Sequence, residues 1–317
     1  MTYFTYTNGD RMPLLGLGTW KSDNRDAYHA VREAIRIGYR HFDCAARYEN
    51  EDEIGEAIAD AISNGDVKRE ELWITSKLWN NAHLPEAVRP NLLQTLKDLR
   101  IDYIDLYLMH WPVALKPDVV FPKKGDEFLS LKDIPLIETW NAMATLKEEG
   151  LCRHLGVSNF NIPKIKSLIA KGGIKPECNQ VESHPFLQQK KILNYCKDEG
   201  IVMTAYSPIG SLDRPARVRK AEDPSLLKQP AIIEVAGEQG CTVGQVLIAW
   251  AIQRGSAVIP KSSNADRLRE NFRSAEIKLT EDQMQRIAAM DRGFRFIDGS
   301  IWTIEGSPYT LEELWEQ

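Results

Sequence analysis

Tyr39-Arg40-His41-Phe42-Asp43, Leu72-Trp73-Ile74-Thr75-Ser76-Lys77 and Ile104-Asp105-Leu106-Tyr107-Leu108-Met109-His110 decide how this chain folds. Each is a short β-type run, and each stops on an ionisable residue. A parallel barrel needs this arrangement if its active site lies at the carboxyl ends of its strands. Tyr48, five residues beyond Asp43, completes a set of four. Chemically the set is a proton donor with the means to tune it. A free tyrosine has a pKa of about 10 and is a poor acid at neutral pH. A lysine ammonium nearby favours the phenolate and is expected to lower that pKa, while Asp43 holds Lys77 in place and keeps it charged. His110 can then hydrogen-bond the oxygen that Tyr48 protonates. None of the four is a good nucleophile, so the group reads as a site for proton transfer, and any hydride must come from a cofactor.

Working outward, helical stripes separate the strand candidates. Ala27, Ala30, Val31, Ala34 and Ile35 form one, Ile54, Ala57, Ile58, Ala61 and Ile62 the next, and Val88, Leu92, Leu96 and Leu99 a third. Before the Asp43 run, Leu14 to Gly18 reads as the first barrel strand. After the His110 run come Cys152 to Ser158, Glu177 to Glu182, Ile201 to Tyr206 and Ala257 to Pro260. Eight strands alternating with helices predict an α/β fold, a closed (β/α)8 TIM barrel, with a doubly wound sheet as the structural alternative. Residues 3 to 12 read as a β-hairpin around Asn8-Gly9, the preferred centre of a type I′ turn. Gly16-x-Gly18 lacks the third glycine of a dinucleotide fingerprint, since Lys21 stands in its place. Gly18 reads instead as a strand-end glycine that lets backbone approach a cofactor. Two long, polar, proline-containing stretches, Trp111 to Pro135 and Ser207 to Pro230, follow strands and should overhang the catalytic face. No linker divides the chain, so residues 1–317 are expected to form a single domain.

Composition narrows the partners. A net charge of −5 argues against nucleic acid or an anionic membrane. No apolar stretch approaches membrane-spanning length, and the amino terminus has no signal-peptide character. The five cysteines, at 44, 152, 178, 196 and 241, are scattered without a C-x-x-C pair, which argues against disulfides or zinc and for a reducing cytoplasm. The expected partner is a small-molecule carbonyl substrate, and the expected assembly state is a monomer.

Phe42-Asp43-Cys-Ala-Ala-Arg-Tyr48-Glu-Asn-Glu51, Thr75-Ser-Lys77-Leu-Trp79-Asn80 and Asp105-Leu-Tyr-Leu-Met-His110-Trp-Pro112 closely resemble the aldo-keto reductases, nearest to the aldose and aldehyde reductases. The resemblance implies a barrel that uses NADPH, with Tyr48 as general acid. It also implies that the amino-terminal hairpin closes the barrel bottom, and that Ser207, Ile209, Ser211 and Asp213 belong to a belt over the nucleotide. Gly18, Thr19, Trp20 and Asp43 are expected against the same cofactor.

Lys261-Ser262-Ser263-Asn264 follows the last strand and opens a helix, where backbone amides can face a phosphate. Lys261 and Arg267 add positive charge there. From the residues alone the segment could equally be a solvated, serine-capped helix start. The resemblance implies that Lys261, Ser262, Ser263 and Arg267 hold the 2′-phosphate of NADPH, and that Glu270 and Asn271 hold the adenine. It assigns Ser158, Asn159 and Gln180 to the carboxamide and Tyr206 to the face of the nicotinamide ring. His184, beside Pro185, suits a structural turn.

Trp20, Trp79, Trp111 and Phe121 suggest an aromatic substrate pocket completed by Tyr48 and His110. Arg47 departs from the aldose reductases, where a small apolar residue stands. It either points to solvent or sits at the pocket mouth, able to grip an anion. Residues 298 to 317 contain no Lys or Arg but carry Asp298, Glu305, Glu312, Glu313 and Glu316. Two other functions compete with carbonyl reduction: a cofactor-binding protein with little turnover, and a double-bond reductase. The second is disfavoured because such relatives carry glutamate where His110 stands.

Overall fold

The computed structural model describes residues 2–316 except 23–24, 212–213, 215–218 and 220–221. Its centre is an eight-stranded parallel sheet built in chain order. The strands are β3 (Leu17–Gly18), β4 (His41–Asp43), β5 (Trp73–Leu78), β6 (Ile104–Met109), β9 (Cys152–Ser158), β10 (Cys178–Glu182), β11 (Val202–Tyr206) and β12 (Ala257–Val258). Parallel bridges Leu15↔Val258 and Gly18↔Lys261 join the first strand to the last, so the sheet closes into the expected (β/α)8 barrel. A doubly wound sheet is excluded by that closure and by the sequential strand order. Gly18 is required at this seam. A Cβ there would lie 2.7 Å from the Ile259 carbonyl oxygen, so the glycine serves strand closure, a reason beside the cofactor approach expected of it.

Helices cover the barrel because their stripes are apolar on one face. Helix α1 (Asp26–Ile37) buries Ala27, Ala30, Val31, Ala34 and Ile35, as its spacing predicts. Helix α2 (Glu51–Ser63) buries Ile54, Ala57, Ile58 and Ala61, but Ile62 is turned outward and is 36% exposed. Helix α3 (Pro85–Leu99) buries Val88, Leu92, Leu96 and Leu99.

The amino-terminal hairpin, β1 (Tyr3–Thr5) with β2 (Arg11–Pro13), seals the end opposite the catalytic residues. Its Tyr6 and Met12 pack with Trp73, Leu106, Leu108, Cys178, Val202 and Ala257 in one apolar cluster. The turn is not the type I′ turn expected. Gly9 N donates to the Tyr6 carbonyl at 3.0 Å, and Tyr6 N to the Asp10 carbonyl at 2.9 Å. Only Gly9 in this turn has positive φ, +91°, which defines a three-residue loop ending in a glycine bulge. Asn8 uses its side chain instead, accepting from Asp10 N at 3.1 Å.

The first long stretch is also more ordered than a loop. It contains an antiparallel ribbon, β7 (Ala114–Leu115) with β8 (Phe128–Leu129). The cysteines are all free thiols. Among the described residues, no helix is long and apolar enough to cross a membrane, and no group of residues is arranged to hold a metal ion.

Candidate active site

The barrel register brings the four predicted residues together. Asp43 ends β4 beside Gly18 of β3 and Thr75 of β5, and Lys77 lies beside Leu108 of β6. Lys77 is completely buried and ion-paired to Asp43 Oδ1. Its ammonium also donates to the Cys44 carbonyl at 2.7 Å and to Tyr48 Oη at 3.4 Å. Tyr48 ends a single 3-10 turn, Ala46–Tyr48, and its ring stands edge-on to His110 with centroids 5.9 Å apart. His110 follows β6 directly. Gln180 Nε2 donates to the other Asp43 oxygen at 2.6 Å, a tie that the sequence did not suggest.

The electrostatics correct one expectation. Burial pushes the Tyr48 hydroxyl up, Lys77 pulls it down and Asp43 pushes it up again, so the net shift is upward from the usual tyrosine value. The lysine moderates the cost of burial without reversing it, because Asp43 cancels part of its field. Burial also works against the Lys77 charge, yet Asp43 and Tyr48 outweigh it and hold the ammonium protonated. Burial, Lys77 and Arg47 together depress His110 well below the ordinary histidine range, which leaves a neutral imidazole able to donate one hydrogen bond.

Trp79 faces His110 with centroids 4.9 Å apart, and Phe121 lies against Trp79 at 5.7 Å. Trp111 belongs to the same cluster through Trp302, which lies 5.5 Å from Trp111, 5.8 Å from Trp79 and 6.3 Å from Phe121. Trp302 thus sits at the centre of this aromatic cluster and is only 2% exposed. It was missed in the sequence because it stands alone in the carboxyl-terminal tail. Tyr309 fixes that tail to β7 and β8, donating to the Leu129 carbonyl at 2.7 Å and accepting from Ala114 N at 2.8 Å. Glu182 fixes its start, accepting from Phe296 N at 2.6 Å and Ile297 N at 2.8 Å. His184, buried in the turn expected of it, hydrogen-bonds Glu182 at 2.7 Å. Trp20 is half-buried with the Lys21 ammonium 5.2 Å from its ring centroid, and no ring contact among the described residues joins it to the Trp79 group.

Several of the residues expected at a cofactor hydrogen-bond to one another and to the ends of the strands that carry Asp43 and His110. Thr19 Oγ1 donates to the Asp43 carbonyl at 2.8 Å. Ser158 donates to the Gln180 carbonyl at 2.9 Å, and Asn159 to the His110 carbonyl at 2.9 Å. Tyr206 Oη donates to Asn159 Oδ1 at 2.8 Å. Asn159 has positive φ, +62°, a backbone state asparagine tolerates better than most residues. Ser207 and Ile209 follow β11, and the Ser211 carbonyl accepts from Arg214 Nη1 at 2.7 Å. Asp213 lies outside the described residues. The helix Ala265–Arg273 begins at Asn264, whose side chain caps it by accepting from Arg267 N at 3.0 Å. Ser262 Oγ accepts from Asn264 N at 3.2 Å. Lys261 and Ser263 precede this helix and Arg267 lies in its first turn, whereas Glu270 and Asn271 lie in its second half, with Asn271 buried.

The chain, a parallel barrel with Asp43, Lys77, Tyr48 and His110 gathered at the carboxyl ends of its strands, belongs to the aldo/keto reductase family, whose pattern residues 14–292 match. The chain is 52% identical over its whole length to an aldo/keto reductase of Synechocystis, covering 97% of that protein. It is similar as well to aldo-keto reductase family 1 member A1 of Xenopus tropicalis, 44% identical over 93% of this chain and 90% of the relative. The human protein of the same name is 42% identical over 91% of this chain and 89% of its own length.

Proposed function

We propose that this chain, acting as one unit over residues 1–317, reduces aldehydes to primary alcohols with NADPH and uses Tyr48 as the general acid. The observation that carries this reading is the buried Asp43–Lys77 pair, with Tyr48 Oη at 3.4 Å from the ammonium and a neutral His110 beside it. The raised pKa keeps Tyr48 protonated throughout the physiological range, so the hydroxyl is available as an acid. The Lys77 charge stabilises the phenolate left behind after the proton moves. His110 orients the carbonyl oxygen towards Tyr48 by donating a hydrogen bond. Trp79, Trp111, Phe121 and Trp302 exclude water from the carbonyl and select its substituent by shape.

NADPH, when bound, supplies the hydride. The residues present suit it. Lys261 and Arg267 have no ion-pair partner among the described residues, and they flank a capped helix start where backbone amides favour an anion. That is the chemistry a 2′-phosphate requires, with Ser262 and Ser263 as further donors and Glu270 and Asn271 for the adenine. Ser158, Asn159 and Gln180 offer amide and hydroxyl groups to a carboxamide, and Tyr206 offers an aromatic face. Ser207, Ile209 and Ser211 would lie against the nucleotide. Gly18, Thr19 and Trp20 would line its other side. The free cysteines agree with a cytoplasmic location.

The direct test follows NADPH absorbance with a panel of aldehydes. Steady oxidation supports the reductase, and none across the panel would favour a protein that binds the cofactor with little turnover. Cofactor choice gives a further prediction. A charge-assisted contact is worth about 1.5–3 kcal/mol, so Arg267→Ala should weaken NADPH roughly tenfold or more while changing NADH much less. Equal losses in a fluorescence titration of both cofactors would remove Arg267 from the 2′-phosphate.

A further inference from the structure

Arg47 is the residue whose direction the sequence left open. It immediately precedes Tyr48 in the 3-10 turn, so its backbone is fixed wherever Tyr48 is fixed. Its side chain is 23% exposed and does not extend into solvent. The guanidinium carbon lies 4.3 Å above the Phe121 ring and 6.0 Å from the Trp79 ring. Trp79 is the ring that faces His110. The cation therefore lies on the aromatic wall of the pocket, near enough for its field to act on His110.

We infer that Arg47 is a specificity-determining residue that binds the carboxylate of an aldehyde substrate at the pocket mouth. The inference rests on the reductase reading above and names its substrate class as aldehydes bearing a remote carboxylate. Three features of the guanidinium suit the role. Stacking on Phe121 holds it in place before substrate arrives, so little side-chain freedom is lost on binding. Its planar fork matches a carboxylate with two parallel hydrogen bonds. Its contact with Glu49, at 2.9 Å, is readily displaced, because Glu49 is 73% exposed and can return to water at small cost. Among the described residues Arg47 is the cation over Trp79 and Phe121, while Arg295 lies over Trp315. Trp79, Trp111, Phe121 and Trp302 are neutral, Lys77 is committed to Asp43, and the tail that brings in Trp302 is acidic. One fixed positive charge complements a monoanion, whereas a phosphate dianion calls for more.

The test compares 4-carboxybenzaldehyde with 4-methylbenzaldehyde, which differ in charge but little in shape, using NADPH and the full chain. Arg47→Met keeps an unbranched stem over Phe121 and removes the charge. It should lower the ratio of kcat/KM for the carboxylate over the methyl compound by roughly tenfold, with the loss in KM and not in kcat. Arg47→Lys, which keeps the charge without the fork, should recover part of the ratio. Glu49→Gln should lower KM for the carboxylate by removing its competitor. A ratio that stays within twofold of wild type in Arg47→Met, with both aldehydes turned over, overturns the inference alone. If neither aldehyde is reduced by the wild-type protein, the reductase reading fails and the inference with it.

Discussion

Tyr48→Phe is expected to lower kcat by about two to four orders of magnitude, the usual worth of a positioned general acid. The substitution removes one oxygen and leaves the ring, so the edge-on contact with His110 is retained. Only the Lys77 hydrogen bond at 3.4 Å is lost. NADPH affinity should therefore change little, and a fluorescence titration checks that independently of turnover. The pH profile supplies a second signature. The acid must be protonated to work, and its pKa is raised, so wild-type reduction should hold across neutral pH and decline only in the strongly alkaline range. That alkaline limb should vanish in Tyr48→Phe. A variant keeping more than half of wild-type kcat would take Tyr48 out of the mechanism.

Lys77→Met should act on both activity and stability. Lys77 is completely buried against Asp43, so removing it leaves a buried carboxylate without its counter-charge, a loss of roughly 3–5 kcal/mol. Urea unfolding measures this. Part of the loss is cushioned because Asp43 keeps the Gln180 hydrogen bond. In the variant, burial and Asp43 both raise the Tyr48 pKa with nothing opposing them. The alkaline limb should then move to still higher pH, while kcat falls by about a hundredfold or more, because the departing phenolate is no longer stabilised. A limb that moves to lower pH would mean that Lys77 does not act on Tyr48 through its charge.

The barrel was legible because its signals are local. Each strand run ends on a recognisable residue, and the α1, α2 and α3 stripes repeat at helical spacing, with Ile62 as the one residue that falls off its face. What the sequence hid depends on distant partners or on a choice between near-equal local states. Asn8-Gly9 is compatible with both a two-residue and a three-residue loop, and the strand register decided between them. The β7–β8 ribbon has strands of two residues each, too short for any periodicity to show. Trp302 reaches the pocket only because Tyr309 and Glu182 fasten the tail across it, contacts separated by over a hundred residues in the chain. The upward shift of Tyr48 was hidden for the same reason. Residue types reveal the neighbouring charges, but burial depends on the finished fold.

The central claim is that this site passes a hydride to an aldehyde and a proton from Tyr48 to its oxygen. The most direct measurement uses NADPH deuterated at the transferring position of the nicotinamide, with the product alcohol analysed by mass spectrometry. The account predicts one deuterium on the carbinol carbon of each alcohol formed by the wild-type protein, and almost no alcohol from Tyr48→Phe in the same time. Alcohol without deuterium, or equal yields from the two proteins, would contradict it.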